Sequence, residues 1–168
     1  NSGANVVFNN LGVNPSTGIW HHIAITKDAS GGSLYLDGIL MGTHNNGTAL
    51  TTGEPLYIGS LDDINDFFNG NIDEVRIWND VRTTDEIREN MFQTLLGNES
   101  GLVAYYRFNE TSANTLHDAT SNGNDGTIQN FDWESSSYWL TSDAFTTWTG
   151  NTSTTWSDPD NWTNGSPT

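Results

Sequence analysis

The stretch that decides the fold runs from residue 34 to residue 39 and reads Leu34-Tyr35-Leu36-Asp37-Gly38-Ile39. An Asp-Gly pair stands between two short apolar segments, at the centre of a two-residue connection. Both central positions of such a connection need a positive φ, which Gly adopts without steric cost. The sequence therefore predicts a tight β-hairpin, with strands at residues 33–36 and 39–44.

Short apolar segments on both sides of this hairpin alternate with clusters of Gly, Asn and Asp. Such alternation is typical of many short strands joined by turns. Further strands are predicted at residues 4–8, 20–27, 56–60, 72–78, 102–108, 127–131 and 137–140. In the strand at 72–78, period-two alternation places Val75 and Ile77 on the core face. The strand at 102–108 is rich in aromatic residues, so we expect it to be buried on both faces.

One helix is predicted after residue 82. Thr83 or Thr84 can cap its amino terminus, and Asp85 and Glu86 suit a first turn because of the helix dipole. The residues that form the helical stripe and then end it are Ile87, Asn90, Met91, Leu95 and Gly97. Together these elements predict an all-β fold with one short helix.

The balance of charge limits the partners that the chain can have. It carries 21 Asp+Glu against 5 Lys+Arg, a formal net charge of -16 at pH 7. Phosphate backbones and anionic lipid surfaces are repelled by such a charge, so nucleic acid is not an expected partner. Close carboxylates need a compensating cation, and Ca²⁺, which prefers oxygen ligands, is the natural candidate.

The chain contains no cysteine, and its first residues show no basic and apolar leader and no membrane-spanning run. It therefore reads as a fragment without a signal peptide, and we expect no membrane insertion. Few Lys, many Asn, Thr, Ser, Gly and Asp, and abundant aromatic residues are typical of extracellular β-proteins of bacteria. We expect a secreted or cell-surface protein.

Three segments, taken in order, resemble the laminin G-like jelly-roll modules of the concanavalin A-like lectin/glucanase superfamily. They are Gly18-Ile19-Trp20-His21-His22-Ile23-Ala24, Leu34-Tyr35-Leu36-Asp37-Gly38 and Phe68-Asn69-Gly70-Asn71-Ile72-Asp73-Glu74-Val75-Arg76-Ile77-Trp78-Asn79. The resemblance to bacterial members continues through residues 101–109 and spans about residues 5–140. It implies an antiparallel jelly-roll β-sandwich over residues 1–145.

The order of the segments departs from the family in one respect. These modules carry several strands ahead of the Trp-His-His segment, and here only a few residues precede it. Two explanations stay open: the amino-terminal strands are missing, or a cyclic rearrangement places the opening strand at 102–108, beside 72–78. The composition of residues 146–168 differs from that of the preceding chain and is rich in Trp and Thr. This segment is therefore predicted to be a linker or the start of a following module.

The resemblance also implies a metal site. Related modules commonly hold a calcium ion near the aspartates that match Asp73 and Asp118, with Asn109 and Glu110 as the next candidates. Ca²⁺ takes about 6–8 oxygen ligands, including backbone carbonyls and water. The acidic loop at residues 62–66 is a second place for a ligand or metal, although it lacks the Gly and terminal Glu of an EF-hand.

A structural interpretation of the same acids stays open beside the metal. In it, Glu74 forms a salt bridge with Arg76 or Arg107, and the remaining carboxylates are solvated. The histidines His21, His22, His44 and His117 are predicted to be structural, because none stands at a recognisable catalytic spacing. Trp20 and Trp78 are predicted to be core residues, whereas an exposed Trp would offer a platform for stacking a sugar.

Catalysis is not expected. Hydrolytic members of the superfamily use Glu-x-Asp-x-x-Glu on one strand to hold two carboxylates across the scissile bond. The nearest match is 73–76, whose adjacent acids face opposite sides of a strand and lack a third acid.

The sequence as a whole predicts a non-catalytic binding or adhesion module. Its expected partner is an extracellular polysaccharide or a surface protein, with calcium as a stabilising cation. Two alternatives stay open: an architectural spacer of a large surface protein, and a non-catalytic part of a glycoside hydrolase.

Overall fold

The computed structural model describes residues 15–45, 55–60, 67–110 and 114–129. These residues form seven strands and one helix: β1 (Ile23–Lys27), β2 (Gly32–Leu36), β3 (Ile39–His44), β4 (Val75–Trp78), α1 (Thr84–Asn90), β5 (Leu102–Tyr106), β6 (Thr115–Leu116) and β7 (Gly126–Thr127). All strand pairs are antiparallel. The predicted all-β class with one short helix is therefore confirmed. The strands predicted at 4–8 and 137–140, the loop at 62–66 and the segment 146–168 lie outside the described residues.

The hairpin at residues 33–44 is confirmed in detail. β2 pairs with β3 and, on its other side, with β1, which gives a three-stranded sheet in the order β1-β2-β3. Asp37 and Gly38 have φ values of 49° and 72°, the two positive values that a tight hairpin turn needs. Arg88 of α1 donates from Nε to the Gly38 carbonyl at 2.9 Å. A Cβ at Gly38 would lie 2.7 Å from Cγ of Arg88, so this close approach requires glycine.

β4 and β5 form a second, two-stranded sheet, in which Val75 lies opposite Tyr106 and Ile77 opposite Ala104. This is the pairing that the rearranged strand order predicts. Both strands are shorter than predicted. Glu74 and Phe108 have positive φ values, 55° and 50°, and this backbone conformation interrupts a strand.

Two other strand predictions need correction. Residues 55–60 contain no strand, although a strand was expected at 56–60. Of the strand predicted at 127–131, residues 127–129 are described, and only Thr127 lies in a strand, β7, which pairs with the unpredicted strand β6. An isolated bridge from Tyr106 to Asp118 links β5 to the segment that carries β6 and β7.

The core lies on both faces of β5, as predicted. On one face, Leu102 and Tyr105 pack with Leu95, and Trp78 packs against them. On the other face, Ala104 and Tyr106 are buried with Leu116, and the residues packed against this second group include Val75 and Ile77. The shared core face of Val75 and Ile77 and the core position of Trp78 are therefore confirmed.

The three-stranded sheet is less protected. Ile23, Ile25 and Ile39 on one of its faces are 60%, 59% and 60% exposed. Trp20 is 38% exposed, so the prediction of a core position is wrong for this residue. The reason is that β1 begins at Ile23, three residues later than predicted, and Trp20 precedes the sheet.

Helix α1 begins as predicted and ends earlier. Thr83 is its N-cap: its side chain accepts from the Glu86 backbone N–H, and the Glu86 side chain accepts from the Thr83 N–H. The helix ends at Asn90 rather than near Gly97. Arg76 donates to the carbonyl of Asn90 at 2.7 Å and to that of Gln93, which satisfies these groups without another helical turn.

Candidate functional site

A cleft of about 480 Å³ opens between the three-stranded sheet and the segment that leads into α1. One side is formed by the ends of β1 and β3, the first half of β2 and the turn at residues 28–31. Val81, Arg82, Thr83 and Thr84 form the facing wall. This volume falls within the range of about 300–1,000 Å³ that is usual for small-ligand sites.

The turn at 28–31 gives the cleft a fixed rim. Oδ1 of Asp28 accepts from the Ser30 hydroxyl at 2.5 Å, from the Ser30 N–H at 2.7 Å and from the Gly31 N–H at 3.1 Å. The hydrogen bonds from Ser30 hold the pKa of the exposed Asp28 carboxyl below its ordinary value. Lys27 Nζ donates to the Asp28 carbonyl at 2.9 Å, so both charged residues of the rim are engaged within the turn.

The facing wall is also fixed. Arg82 forms ion pairs with Asp80 at 3.2 Å and with Glu86 at 3.1 Å, and its guanidinium lies 4.3 Å from the centre of the Trp78 ring. Hydrogen bonds from the backbone and side chain of Thr83 hold the pKa of Glu86 below its ordinary value, helped by the Arg82 charge. The wall is therefore held by the helix cap and by the core residue Trp78.

The floor of the cleft is Tyr35, which is only 8% exposed. The Thr84 hydroxyl donates to the Tyr35 hydroxyl over a long 3.5 Å, which joins the wall to the sheet. At the sheet end, the His44 ring lies against Gly32. A Cβ at Gly32 would lie 2.5 Å from His44 Nε2 and 2.8 Å from the Thr26 carbonyl, so a side chain there would displace the imidazole from the cleft.

Three hydroxyl side chains that line the cleft lie side by side across the sheet. Thr26 pairs with Ser33 in the register of β1 and β2, and Ser33 pairs with Thr43 in the register of β2 and β3. We call these three side chains the hydroxyl row. Neighbouring strands are about 4.8 Å apart, which sets the spacing of the row.

A second polar arrangement surrounds His21. Its Nδ1 lies 2.8 Å from Oδ2 of Asp37, and its Nε2 lies 3.0 Å from the hydroxyl of Ser16 and 3.2 Å from the Ser16 carbonyl. Serine, histidine and aspartate in this order resemble a hydrolytic triad. Ser16, however, contacts Nε2 through both its hydroxyl and its backbone carbonyl, and it lies only five residues before His21 in an exposed segment. The contacts therefore favour a structural clasp.

His22 contributes to the same clasp through its backbone, because its N–H donates to Oδ1 of Asp37 at 2.8 Å. Burial lowers the pKa of His22, and the Arg76 charge lowers it further, against the opposing influence of Asp37. Asp37 therefore accepts from the ring of His21 and from the backbone N–H of His22. These contacts agree with the predicted structural role of both.

The predicted metal ligands were Asp73, Asn109, Glu110 and Asp118. Asp73 accepts from the Glu74 N–H at 2.8 Å, and Asn109 is exposed. Glu110 accepts from the His117 N–H at 2.8 Å through Oε1, whereas Oε2 is buried without a hydrogen-bond partner. Across residues 15–45, 55–60, 67–110 and 114–129, no three His, Asp or Glu side chains are grouped so that they could hold a metal ion.

Asp118 has no acceptor capacity left in this conformation. Oδ1 accepts from the N–H groups of Tyr105 (3.0 Å) and Thr120 (2.9 Å), and Oδ2 from the Thr120 hydroxyl (2.8 Å) and the Asn124 N–H (3.0 Å). Burial opposes ionisation of the carboxyl, but these hydrogen bonds outweigh it and lower the pKa of Asp118. A carboxylate with four donors does not fit the role of a calcium ligand, so calcium at this position stays a prediction that the geometry does not favour.

The structural interpretation of Glu74 is confirmed. Its carboxylate forms an ion pair with Arg76 at 3.2 Å and accepts from the hydroxyl of Tyr105, which is fully buried. Burial raises the pKa of Glu74, although the Tyr105 and Arg76 hydrogen bonds oppose the rise. Arg107 donates to the Leu95 carbonyl at 2.6 Å, and its guanidinium lies 5.0 Å from the centre of the Tyr105 ring. The cluster fixes the chain that follows the helix.

Comparison with known families identifies the chain. A model of laminin G type, described as the concanavalin A-like lectin/glucanases superfamily, matches residues 1–88, more than half of the chain. The chain belongs to this superfamily. The resemblance predicted from the Trp20, Asp37 and Ile72 segments is therefore confirmed, and the antiparallel strands with a single helix agree with a jelly-roll of the superfamily. No curated protein matches the chain.

Two solved structures from bacteria are similar to this superfamily member. One is a proposed carbohydrate-binding protein from Bacteroides ovatus, 20% identical, with a TM-score of 0.51 over 69% of this chain and 38% of that one. The other is an S-layer domain-containing protein from Clostridium thermocellum, 28% identical, with a TM-score of 0.42 over 46% of this chain and 42% of that one. The chain thus spans less than half of each.

The cleft is the part of the site that sequence reasoning missed. Its hydroxyl residues have the appearance of ordinary strand positions, and they are brought together only by the register of three strands. The period-two pattern of β1 and β2, combined with the hairpin register, was the available signal for Thr26 and Ser33. Within the described residues, no helix is long and apolar enough to cross a membrane.

Proposed function

We propose that this chain is a non-catalytic, glycan-binding module of a secreted or surface-displayed bacterial protein, and that the cleft between the sheet and residues 81–84 holds the glycan. The single observation that carries the proposal is the lining of this cleft. It combines several hydroxyl groups with the amide of Asn45 and the aromatic floor of Tyr35. A concave site with such convergent polar groups suits a small polar ligand better than a folded protein, which needs a broader surface.

Three further observations support the proposal. The superfamily includes lectins, the structure from Bacteroides ovatus with the same fold is a proposed carbohydrate-binding protein, and the charge of -16 disfavours polyanionic partners. A non-catalytic role agrees with the clasp at His21, whose contacts tie the exposed segment before β1 to Asp37 of the hairpin turn. Display outside a bacterial cell rests on composition and on the bacterial origin of the similar structure from Bacteroides ovatus.

A glycan array tests the proposal directly. The chain is applied beside Thr43→Trp, in which a large ring fills the mouth of the cleft, and beside Thr127→Trp, which places the same ring on exposed β7 outside the cleft. We expect glycan binding by the unaltered chain and by Thr127→Trp, and its loss in Thr43→Trp. If the folded chain binds no glycan on a diverse array, the proposal is refuted and an architectural spacer becomes the better interpretation.

A further inference from the structure

The hydroxyl groups that line the cleft divide into two sets. Ser30 donates to Asp28 at 2.5 Å, and the Thr84 hydroxyl donates to Tyr35 at 3.5 Å. Thr83 donates to Glu86 at 2.8 Å and also accepts from the Glu86 N–H. These three hydroxyls hold the rim and the wall in place, so the protein itself already uses them.

The hydroxyl row forms the second set. Within the part of the chain that the structure describes, the side-chain hydroxyls of Thr26, Ser33 and Thr43 make no hydrogen bond. They are consecutive in register, on three adjacent strands, and they line the same cleft. Each hydroxyl can donate one hydrogen bond and accept two, so the row offers both functions at intervals of about 4.8 Å.

The cationic side chains at the cleft, in contrast, already have partners within the protein. Lys27 Nζ donates to a carbonyl of the rim, and Arg82 lies between Asp80 and Glu86. An acidic ligand would have to displace these carboxylates and approach a chain with a net charge of -16. The hydroxyl row, which is neutral, therefore offers the ligand the most continuous set of hydrogen-bonding groups in the cleft.

We infer that the ligand of the cleft is an uncharged, extended glycan that lies across the strands, with a hydroxyl edge along the hydroxyl row. This inference rests on the proposed glycan-binding function and adds the class of glycan and its direction. Sugar hydroxyls donate and accept hydrogen bonds in the same way as the row, so each side chain of the row can exchange a hydrogen bond with the ligand. The preformed rim and wall limit the conformational entropy lost on binding.

Titration calorimetry tests the inference with two matched panels. One contains linear neutral oligosaccharides, namely glucans, mannans, galactans and xylans, and the other contains oligouronates of the same lengths. Thr26→Val, Ser33→Ala and Thr43→Val remove one hydroxyl each, and valine keeps the β-branched shape of threonine. Thr127→Val makes the same change in exposed β7 and serves as the control. Circular dichroism confirms that each variant is folded.

We expect binding of a neutral oligosaccharide, with an affinity that is insensitive to salt. Each variant of the row should bind about 2- to 12-fold more weakly, which is the effect of one neutral hydrogen bond, and Thr127→Val should bind like the unaltered chain. Binding of oligouronates alone, or neutral binding unchanged in all three variants, would overturn the inference and leave the glycan-binding function standing. Absence of binding in both panels would overturn the function as well.

Discussion

Asp118 allows the sharpest separation between a structural carboxylate and a metal ligand. Its two oxygens accept four hydrogen bonds, three from backbone N–H groups and one from the Thr120 hydroxyl. These bonds tie β5, through Tyr105, to the turn that contains Thr120 and Asn124. Replacement by asparagine keeps the shape of the side chain but leaves one acceptor oxygen, so two of the four donors lose their acceptor.

The expected magnitude follows from the two lost bonds. A hydrogen bond to a charged group contributes about 1.5–3 kcal/mol. Since Asp118 is only half-buried, water can replace part of each bond, and we expect Asp118→Asn to lower the free energy of unfolding by about 2–4 kcal/mol. Asp85→Asn removes the same charge from an exposed residue of the first helical turn and should cost no more than about 1 kcal/mol.

Urea denaturation, followed by tryptophan fluorescence in calcium and in chelator, is the assay. If Asp118 acts only through its four donors, the variant loses the same stability under both conditions. The calcium site implied by the family resemblance predicts instead that calcium raises the melting temperature of the unaltered chain. The structural reasoning about Asp118 is refuted if the variant and the unaltered chain are equally stable in chelator and differ only in calcium.

Acid should reduce the contribution of Asp118 to the free energy of unfolding. The pKa of Asp118 is lowered in the folded protein, so its stabilisation is present above the ordinary Asp value of about 3.9 and is lost as the pH falls through the lowered pKa. The unfolding free energy of Asp118→Asn should therefore depend less on pH in this acidic window.

Two further predictions concern Glu74 and Ser16. Because burial raises the pKa of Glu74, its contribution to stability is complete below the ordinary Glu value of about 4.3 and is lost as the pH rises through the raised pKa. Thermal melts of Glu74→Gln should lack this decline, and an unchanged pH profile would contradict it. A fluorophosphonate probe should not label Ser16, and labelling that Ser16→Ala abolishes would show that the clasp at His21 is a catalytic site.

Local chemistry explains which elements the sequence predicts well. The hairpin depends on two adjacent residues, Asp37 and Gly38, whose positive φ values belong to the turn itself. The start of α1 depends on Thr83 and Glu86, which satisfy each other within four residues. Because these interactions form between residues close together in the sequence, they can be predicted without knowing the rest of the fold.

The ends of β4 and β5 depend on features without a local signature. Glu74 and Phe108 adopt positive φ, which side chains other than Gly rarely do, and each lies beside a contact made elsewhere in the fold. Glu74 is held by Tyr105, which lies 31 positions away in the sequence. The exposed face of Ile23 and Ile25 has a related explanation, because an alternating pattern shows which face is apolar but not whether another layer covers it.

In the candidate site, too, features that depend on local sequence are predictable and features that depend on tertiary contacts are not. A carboxylate is recognisable as a possible ligand from its identity, and the family resemblance points to Asp73 and Asp118 among the many acids of the chain. Whether its lone pairs are free depends on donors that tertiary structure brings to it, and for Asp118 these come from residues 105, 120 and 124. The residues of the hydroxyl row are separated by up to 17 positions and become neighbours only through strand register.

Helix α1 links the cluster of Glu74, Arg76 and Tyr105 to the cleft. Its amino-terminal cap, Thr83, is part of the cleft wall, while the carbonyl at its other end, on Asn90, accepts from Arg76. Arg88, between them, holds the hairpin tip at Gly38. Glu74 and Tyr105 orient Arg76, so loss of this cluster would release the carboxyl end of the helix. Because the helix is only seven residues long, movement at this end would also loosen the cleft wall at its other end. The cluster of Glu74, Arg76 and Tyr105 thus supports the cleft from a distance, because it holds the far end of the helix whose cap, Thr83, belongs to the cleft wall.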